Sequence, residues 1–203
     1  MSEPAFVSRA GLKLEHALQE FDFDVTGLSC ADLGCNVGGF TDCLLQRGAK
    51  HVHAVDTGYG TFAWKLRSDE RVTTLERTNA LHIEPQEHVQ LVVIDLGWTP
   101  QKRALPAGMK WVNGGHIITL IKPHYELTEE EKKIESVGEG LSEEAISSVI
   151  SRVKLLCKEL SLELLSETLS PIRGKKSSKK GGGNSEYLML LKAPTKALPR
   201  STS

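Results

Sequence analysis

Little in this sequence supports a disulfide scaffold, a metal centre or a membrane segment. There are four cysteines, Cys30, Cys35, Cys43 and Cys157, and none forms a C-x-x-C pair. They read as free thiols of a reducing compartment, with no zinc site expected. No apolar run approaches the roughly 20 residues that a membrane-spanning helix needs. No secretory signal pattern precedes Val7, so a cytoplasmic location without membrane contact is expected. His51 and His53 alternate as same-face residues of a strand, and without a third ligand they read as strand-end polar residues. Aromatic residues are scarce: three Trp, three Tyr and five Phe. The core must therefore rest on aliphatic side chains. The formal net charge of −1 excludes a globally basic field that would attract nucleic acid over the whole surface. The charge is nevertheless uneven. Glutamates gather over residues 126–144, whereas residues 173–180 carry Arg173, Lys175, Lys176, Lys179 and Lys180 with no acid among them. Basic groups gathered on one face bind nucleic acid even in a near-neutral chain.

What the sequence does have is a glycine-rich turn between an apolar segment and a helical pattern. Residues 31–42 read ADLGCNVGGFTD. A strand that ends in such a turn and restarts as a helix builds a nucleotide pocket: glycines allow close backbone approach, and the helix start offers free N–H groups. The spacing Gly34-x3-Gly38-Gly39 is neither G-x-G-x-x-G nor a P-loop. Asp32 lies just before the turn, where a diphosphate is unwelcome and a cationic, amino-acid-like ligand is favoured. That combination points to S-adenosylmethionine rather than NAD.

The rest of the chain alternates strands and helices. Helical periodicity covers residues 7–23, with Ser8 as a cap, and a strand covers 28–33. A crossover helix (41–47), a strand (51–56), a short helix (62–68) and a strand (72–75) follow. Residues 91–94 form a continuous apolar run, expected of a strand buried on both faces of a parallel sheet. Residues 98–109 read as loop with a turn of helix, then a strand spans 116–121 and is ended by Pro123. Thr128-x-x-Glu131 is a capping-box pattern, and Ser142 caps a longer helix. Residues 162–168 and 187–191 read as strands joined without a helix, a hairpin that inserts one antiparallel strand. The fold class expected is α/β, Rossmann-like, with a mostly parallel seven-stranded sheet in one domain. Its core spans about residues 7–192, with a polar tail over 193–203 and a monomer as the default.

In open α/β sheets ligands bind at the carboxyl ends of the strands. The sequence places Asp32, Asp56, Asn79, Asp95 and Lys122 there. Asp56 follows the glycine turn by about 20 residues, where an acid commonly holds ribose hydroxyls. Asn79 offers an amide to an adenine edge. Asp95 and Lys122 end adjacent strands, so their charges should meet.

Further motifs carry a family resemblance. VSRAGLKL at 7–14 resembles the opening motif of the FtsJ-type RNA 2′-O-ribose methyltransferases. The run 32–48, VDTGYG at 55–60, WKLR at 64–67, LERTN at 75–79 and IKP at 121–123 resemble the TlyA-type (hemolysin A) branch. The resemblance covers residues 7–192. It implies the class I S-adenosyl-L-methionine-dependent methyltransferase fold and a Lys–Asp–Lys–Glu tetrad, carried over to Lys13, Asp95, Lys122 and Glu186. It implies cofactor contacts at Asp32, Gly34, Gly38, Gly39, Asp56, Asn79 and Asp95, and the loop residues Asn36 and Phe40 are counted with them. RNA, with rRNA or a ribosomal subunit first, is the implied partner. TlyA-type proteins also carry an N-terminal S4 RNA-binding domain, which is not among these residues. The loop Cys35-Asn36-Val37 and the motif Asp95-Leu96-Gly97-Trp98 depart from the branch.

The implied chemistry suits these residue types. A ribose 2′-OH must lose its proton as it attacks a sulfonium methyl group, and a lysine serves as base once burial or a nearby cation lowers its pKa. Lys122 is assigned that part, with Asp95 orienting it. Lys13 supplies a second positive charge, and Glu186 positions Lys13. Arg9, Lys13, Lys65, Arg67 and the run 173–180 would line an RNA-binding face, and the run 173–180 reads equally as a disordered, solvated loop. Tyr59 and Trp98 are candidate stacking residues, packing residues or adenine contacts. Two other readings stand beside this one: a catalytically silent RNA-binding or ribosome-assembly factor, and a methyltransferase acting on a non-RNA substrate.

Overall fold

The computed structural model describes residues 4–135, 141–174 and 184–195. Seven strands, β1 (Ser29–Leu33), β2 (His51–Val55), β3 (Val72–Leu75), β4 (Val89–Ile94), β5 (Val112–Ile121), β6 (Glu163–Leu169) and β7 (Tyr187–Lys192), form one sheet. Their order is β3-β2-β1-β4-β5-β7-β6. The first five run parallel, and β7 enters antiparallel to both β5 and β6. This is the Rossmann-like methyltransferase arrangement, with the expected inserted strand.

Side-chain alternation along the central strands builds two cores, one on each face of the sheet. Cys30, Val52, Leu91, Val93 and Ile118 point to the face covered by α1 (Ala10–Glu20) and α2 (Gly39–Gln46). Ala31, Leu33, Val92, Ile94 and Ile117 point to the face covered by α4 (Gln101–Trp111) and α7 (Glu143–Glu159). Both faces of β4 are therefore apolar, which explains its unbroken Leu91-Val92-Val93-Ile94 run. Short helices α3 (Trp64–Arg67), α5 (Pro123–Glu126) and α6 (Glu129–Glu135) complete the set. All four thiols are free and buried. No helix among the described residues is long and apolar enough to cross a membrane.

Local capping follows the sequence at two helices. Thr128 and Glu131 exchange reciprocal bonds, Thr128 N–H to Glu131 Oε2 at 2.8 Å and Glu131 N–H to Thr128 Oγ1 at 3.2 Å. Ser142 Oγ accepts from the Ala145 N–H at 3.1 Å.

Three expectations need correction. First, α1 begins at Ala10 rather than at Val7, while Ser8 Oγ accepts from the Ala10 N–H at 3.3 Å, the cap-type bond expected of it, with Arg9 between them in helical backbone. The residues before it are held from outside, where the Val7 N–H donates to Asp42 Oδ2 at 2.8 Å. Second, the stretch expected to be mainly loop before β5 is the three-turn helix α4, despite Pro106 within it. Burial of Ala104, Leu105, Ala107 and Trp111 outweighs that local penalty. Gly108 lets the helix lie close to β4, since a Cβ there would meet Ile94 Cδ1 at 2.7 Å. Third, Pro123 does not simply end β5. It opens α5 at its first turn, where a missing N–H costs nothing.

Candidate active site

The glycine turn is built by the backbone. Gly34 has φ +92°, and a Cβ there would lie 2.6 Å from the Asp95 carbonyl oxygen. Gly38 has φ +103°, with Leu66 Cδ1 at 2.4 Å from its would-be Cβ. Only glycine fits either position without strain. The Gly34 N–H donates to the Val55 carbonyl at 2.8 Å, joining the loop to the end of β2. Asn36, in left-handed backbone at φ +50°, donates its N–H to Asp56 Oδ2 at 2.8 Å. Asp56 Oδ1 accepts from the Gly58 N–H at 2.7 Å. One carboxylate thus fastens the loops after β1 and β2, and each oxygen keeps a lone pair for a ligand hydroxyl. Asn79 Oδ1 accepts from the Leu81 N–H at 2.9 Å, so its amide oxygen is engaged in the turn after β3.

Asp32 is fully buried. Its Oδ2 accepts from the Thr41 N–H at 3.0 Å and from Thr41 Oγ1 at 2.7 Å, while Oδ1 has no partner. Burial pushes this carboxyl up to about 7, against the Thr41 hydrogen bonds and with help from the Asp95 charge. An unsatisfied buried carboxylate oxygen beside a glycine cradle fits a cationic ligand such as S-adenosylmethionine, because the missing partner is a positive charge or an N–H donor. Thr41 was not singled out in the sequence, although it directly follows the motif's Phe40. Gly39 and Phe40, expected at the cofactor, are closely packed in this structure. A Cβ on Gly39 would meet Ser8 Oγ at 2.3 Å, and the Phe40 side chain is sealed in the α1/α2 core.

The four tetrad positions converge. Lys13 on α1 pairs with Glu186, immediately before β7, and both are buried. Asp95, after β4, pairs with Lys122, after β5. The Glu186 charge also acts on Lys122, so the two pairs form one cluster. Gly174 closes over it, since a Cβ there would meet Glu186 Oε1 at 2.7 Å. The Lys122 ammonium does not behave as expected from burial alone. Burial lowers its pKa, but the Asp95 charge and hydrogen bond, with Glu186 and Tyr125, hold it above the ordinary lysine value. In this state Lys122 is protonated.

Several neighbours of the cluster were not foreseen because α5 was not. Lys122 Nζ lies 6.0 Å from the Tyr125 ring centroid, and Tyr125 lies 6.3 Å from Trp98. Trp98 is 84% exposed in left-handed backbone, an expensive placement for an indole in water. His124 packs on Tyr125 at 3.9 Å with Nδ1 buried and unpartnered, and burial, then the Lys122 charge, lower its pKa. Tyr59 is exposed and carries the Arg77 guanidinium 4.1 Å above its ring.

The expected basic face is only partly free. Lys65 pairs with Asp42 at 3.0 Å and Arg67 with Glu76 at 2.8 Å. Arg9 and Arg173 are exposed, and Lys175, Lys176, Lys179 and Lys180 lie outside the described residues.

Comparison with known proteins places this geometry among relatives. The FtsJ-like methyltransferase family model matches residues 6–189. The chain is 38% identical over 205 residues to the 16S/23S rRNA (cytidine-2′-O)-methyltransferase TlyA of Mycobacterium tuberculosis, covering 96% of this chain and 71% of that protein. It is 36% identical over 192 residues to Hemolysin A of Brachyspira hyodysenteriae, covering 90% and 75%. Among solved structures, a candidate hemolysin from Lactococcus lactis superposes with TM-score 0.83 at 35% identity, over 96% of this chain and 91% of that one. Trm5b of Pyrococcus abyssi shares the fold alone, at 14% identity and TM-score 0.58 over 96% of this chain and 52% of that one.

Proposed function

This chain belongs to the FtsJ-like methyltransferase family, and from that premise we propose that it transfers a methyl group to a ribose 2′-OH of RNA, with ribosomal RNA as the substrate class. The observation that carries this reading is the pairing of Lys13 with Glu186 and of Lys122 with Asp95, with the Glu186 charge acting on Lys122 and Asp95 packed against Gly34 of the loop after β1. The similarity to an rRNA (cytidine-2′-O)-methyltransferase supports the substrate class. Such work belongs in the cytoplasm.

S-adenosylmethionine, when bound, supplies an electrophilic methyl on a positively charged sulfur. Asp32 and the Gly34–Gly38 turn would hold its charged end, Asp56 its ribose hydroxyls and Asn79 its adenine. Lys122 receives the proton of the attacking hydroxyl. Because Asp95 holds Lys122 in the ammonium form, Lys122 must first release a proton, and a hydroxyl docked at Nζ competes with Asp95 for that contact. Glu186 balances Lys13, which faces the polyanionic substrate with a buried positive charge. Trp98, exposed next to Tyr125, offers a stacking face to a base.

The test is methyl transfer from labelled S-adenosylmethionine to ribosomal subunits and tRNA, with wild type and Lys122→Ala side by side. Label at an alkali-resistant dinucleotide with wild type only is expected. Absence of label on every RNA, with cofactor binding intact, would replace this reading with a silent RNA-binding factor or a non-RNA substrate.

A further inference from the structure

Asp95 and Lys122 stand just past the ends of β4 and β5, beyond the ladder that holds those strands in register. The Asp95 N–H still donates to the Leu33 carbonyl at 3.0 Å, and a second set of hydrogen bonds joins the segments that follow the two residues. The Gln101 N–H, at the start of α4, donates to Glu126 Oε1 at 2.8 Å. Pro100, the N-cap residue, makes no side-chain cap bond, so a carboxylate from α5 serves the helix end in its place. The Gln101 side chain extends the link into β5. Its Nε2 donates to the Leu120 carbonyl at 3.1 Å, and its Oε1 accepts from Thr119 Oγ1 at 2.8 Å. Gln101 and Thr119 are both buried.

Behind this bracket, Arg152 of α7 donates to the Glu126 carbonyl at 3.1 Å and pairs with Glu131 at 2.8 Å. Burial raises the Glu126 carboxyl, against the Gln101 hydrogen bond and the charges of Arg152 and Lys102. A half-buried acid kept at that cost, with no contact to the reacting cluster among its hydrogen bonds, has a geometric task.

We propose that Glu126 is a positioning residue: it ties the segment carrying Asp95 and Trp98 to the helical turn carrying Lys122 and Tyr125, and so sets the Asp95–Lys122 contact. The proposal rests on the methyl-transfer reading above. A misplacement of about 1 Å at a reacting group costs on the order of a hundredfold in rate, so the bracket matters without touching substrate.

The experiment compares Glu126→Ala and Glu126→Gln with wild type in two measurements. In the first, Glu126→Ala lowers kcat by about ten- to a hundredfold while the KM for cofactor stays unchanged. Glu126→Gln keeps the acceptor oxygen and recovers most of the rate. In the second, the Lys122 ammonium is titrated by NMR with labelled lysine, its signal assigned by its loss in Lys122→Ala. Asp95, Glu186, Tyr125 and His124 face that group and are intact in both variants. Glu126→Ala moves the Lys122 titration down towards the ordinary lysine value, and Glu126→Gln does not. Wild-type kcat together with an unmoved titration in Glu126→Ala overturns the proposal. If Glu126→Ala fails to fold, Glu126→Gln decides: retained rate and titration support the bracket, and a tenfold loss of rate overturns it. If wild type methylates no RNA, the functional reading fails by itself, and the titration alone judges the bracket.

Discussion

The two halves of the site are made of different material. On the β1–β3 side, backbone does the shaping: positive-φ glycines, N–H groups on Asp56, and a turn hydrogen-bonded to β2. On the β4–β5–β7 side, charged side chains do it, in pairs drawn from distant parts of the chain. Lys13 and Glu186 are 173 residues apart in sequence. A backbone-built pocket tolerates side-chain change and fails on a single Cβ. A side-chain cluster tolerates backbone change and fails on a single charge. Substitutions that separate these failures sharpen the contrast.

The largest effect is expected on the charged side. Lys122→Ala should lower kcat by about 10²- to 10⁴-fold, the range of general acid–base catalysis. Equilibrium dialysis should find cofactor affinity unchanged.

Gly34→Ala is the substitution that crosses between the halves. It forces φ +92° on an L-residue and drives a methyl into the Asp95 carbonyl. Backbone strain of this kind costs about 1–3 kcal/mol. Cofactor affinity and Tm should both fall, and calorimetry on the purified variant checks each.

A pH series distinguishes the halves again, in separate windows. Lys122 is held above its ordinary value, so its ion pair stabilises the fold fully below that value, and the contribution is lost as pH rises through the folded one. Activity needs the neutral amine and should rise with pH over the same alkaline window. Asp95→Asn should move that activity limb to lower pH.

On the backbone-built side the titrating group is Asp32. Its carboxyl is raised, so the ligand-free fold binds its proton more tightly than the unfolded chain does. Stability should therefore decline from about pH 4 to about pH 7. A cationic ligand favours the ionised form, so S-adenosylmethionine affinity should increase as pH rises through that value. Titration calorimetry in matched buffers would show it, and Asp32→Asn should flatten the curve.

The same contrast explains what the sequence disclosed. The glycine turn and the acids at the ends of β1, β2 and β4 were legible because spacing along a strand–turn–helix unit is local. All five parallel strands were legible, β4 as a continuous apolar run and β2 by its alternation, and the β6/β7 hairpin showed in the missing helix between them. The tetrad was not legible from spacing: Lys13 and Glu186 meet only through the tertiary fold, and family resemblance alone suggested them. Helix α4 was obscured by Pro106 and Gly108, whose local cost is outweighed by burial against β4. Helix α5 was hidden because Pro123 serves equally as a strand terminator and as the first residue of a helical turn. With α5 went Tyr125 and Glu126. Lys122 showed the limit of reading chemistry from residue type, since its partner Asp95 outweighs the burial that was expected to neutralise it.

The place of β7 in the sheet has a consequence for how this protein is made. Glu186 lies immediately before a strand that slots between β5 and β6, and it neutralises a lysine from the first helix. During synthesis Lys13 therefore leaves the ribosome long before its counter-ion exists. Until β7 is seated, one buried cation is uncompensated and one member of the cluster is missing. Completion of the sheet and completion of the charge cluster are the same event.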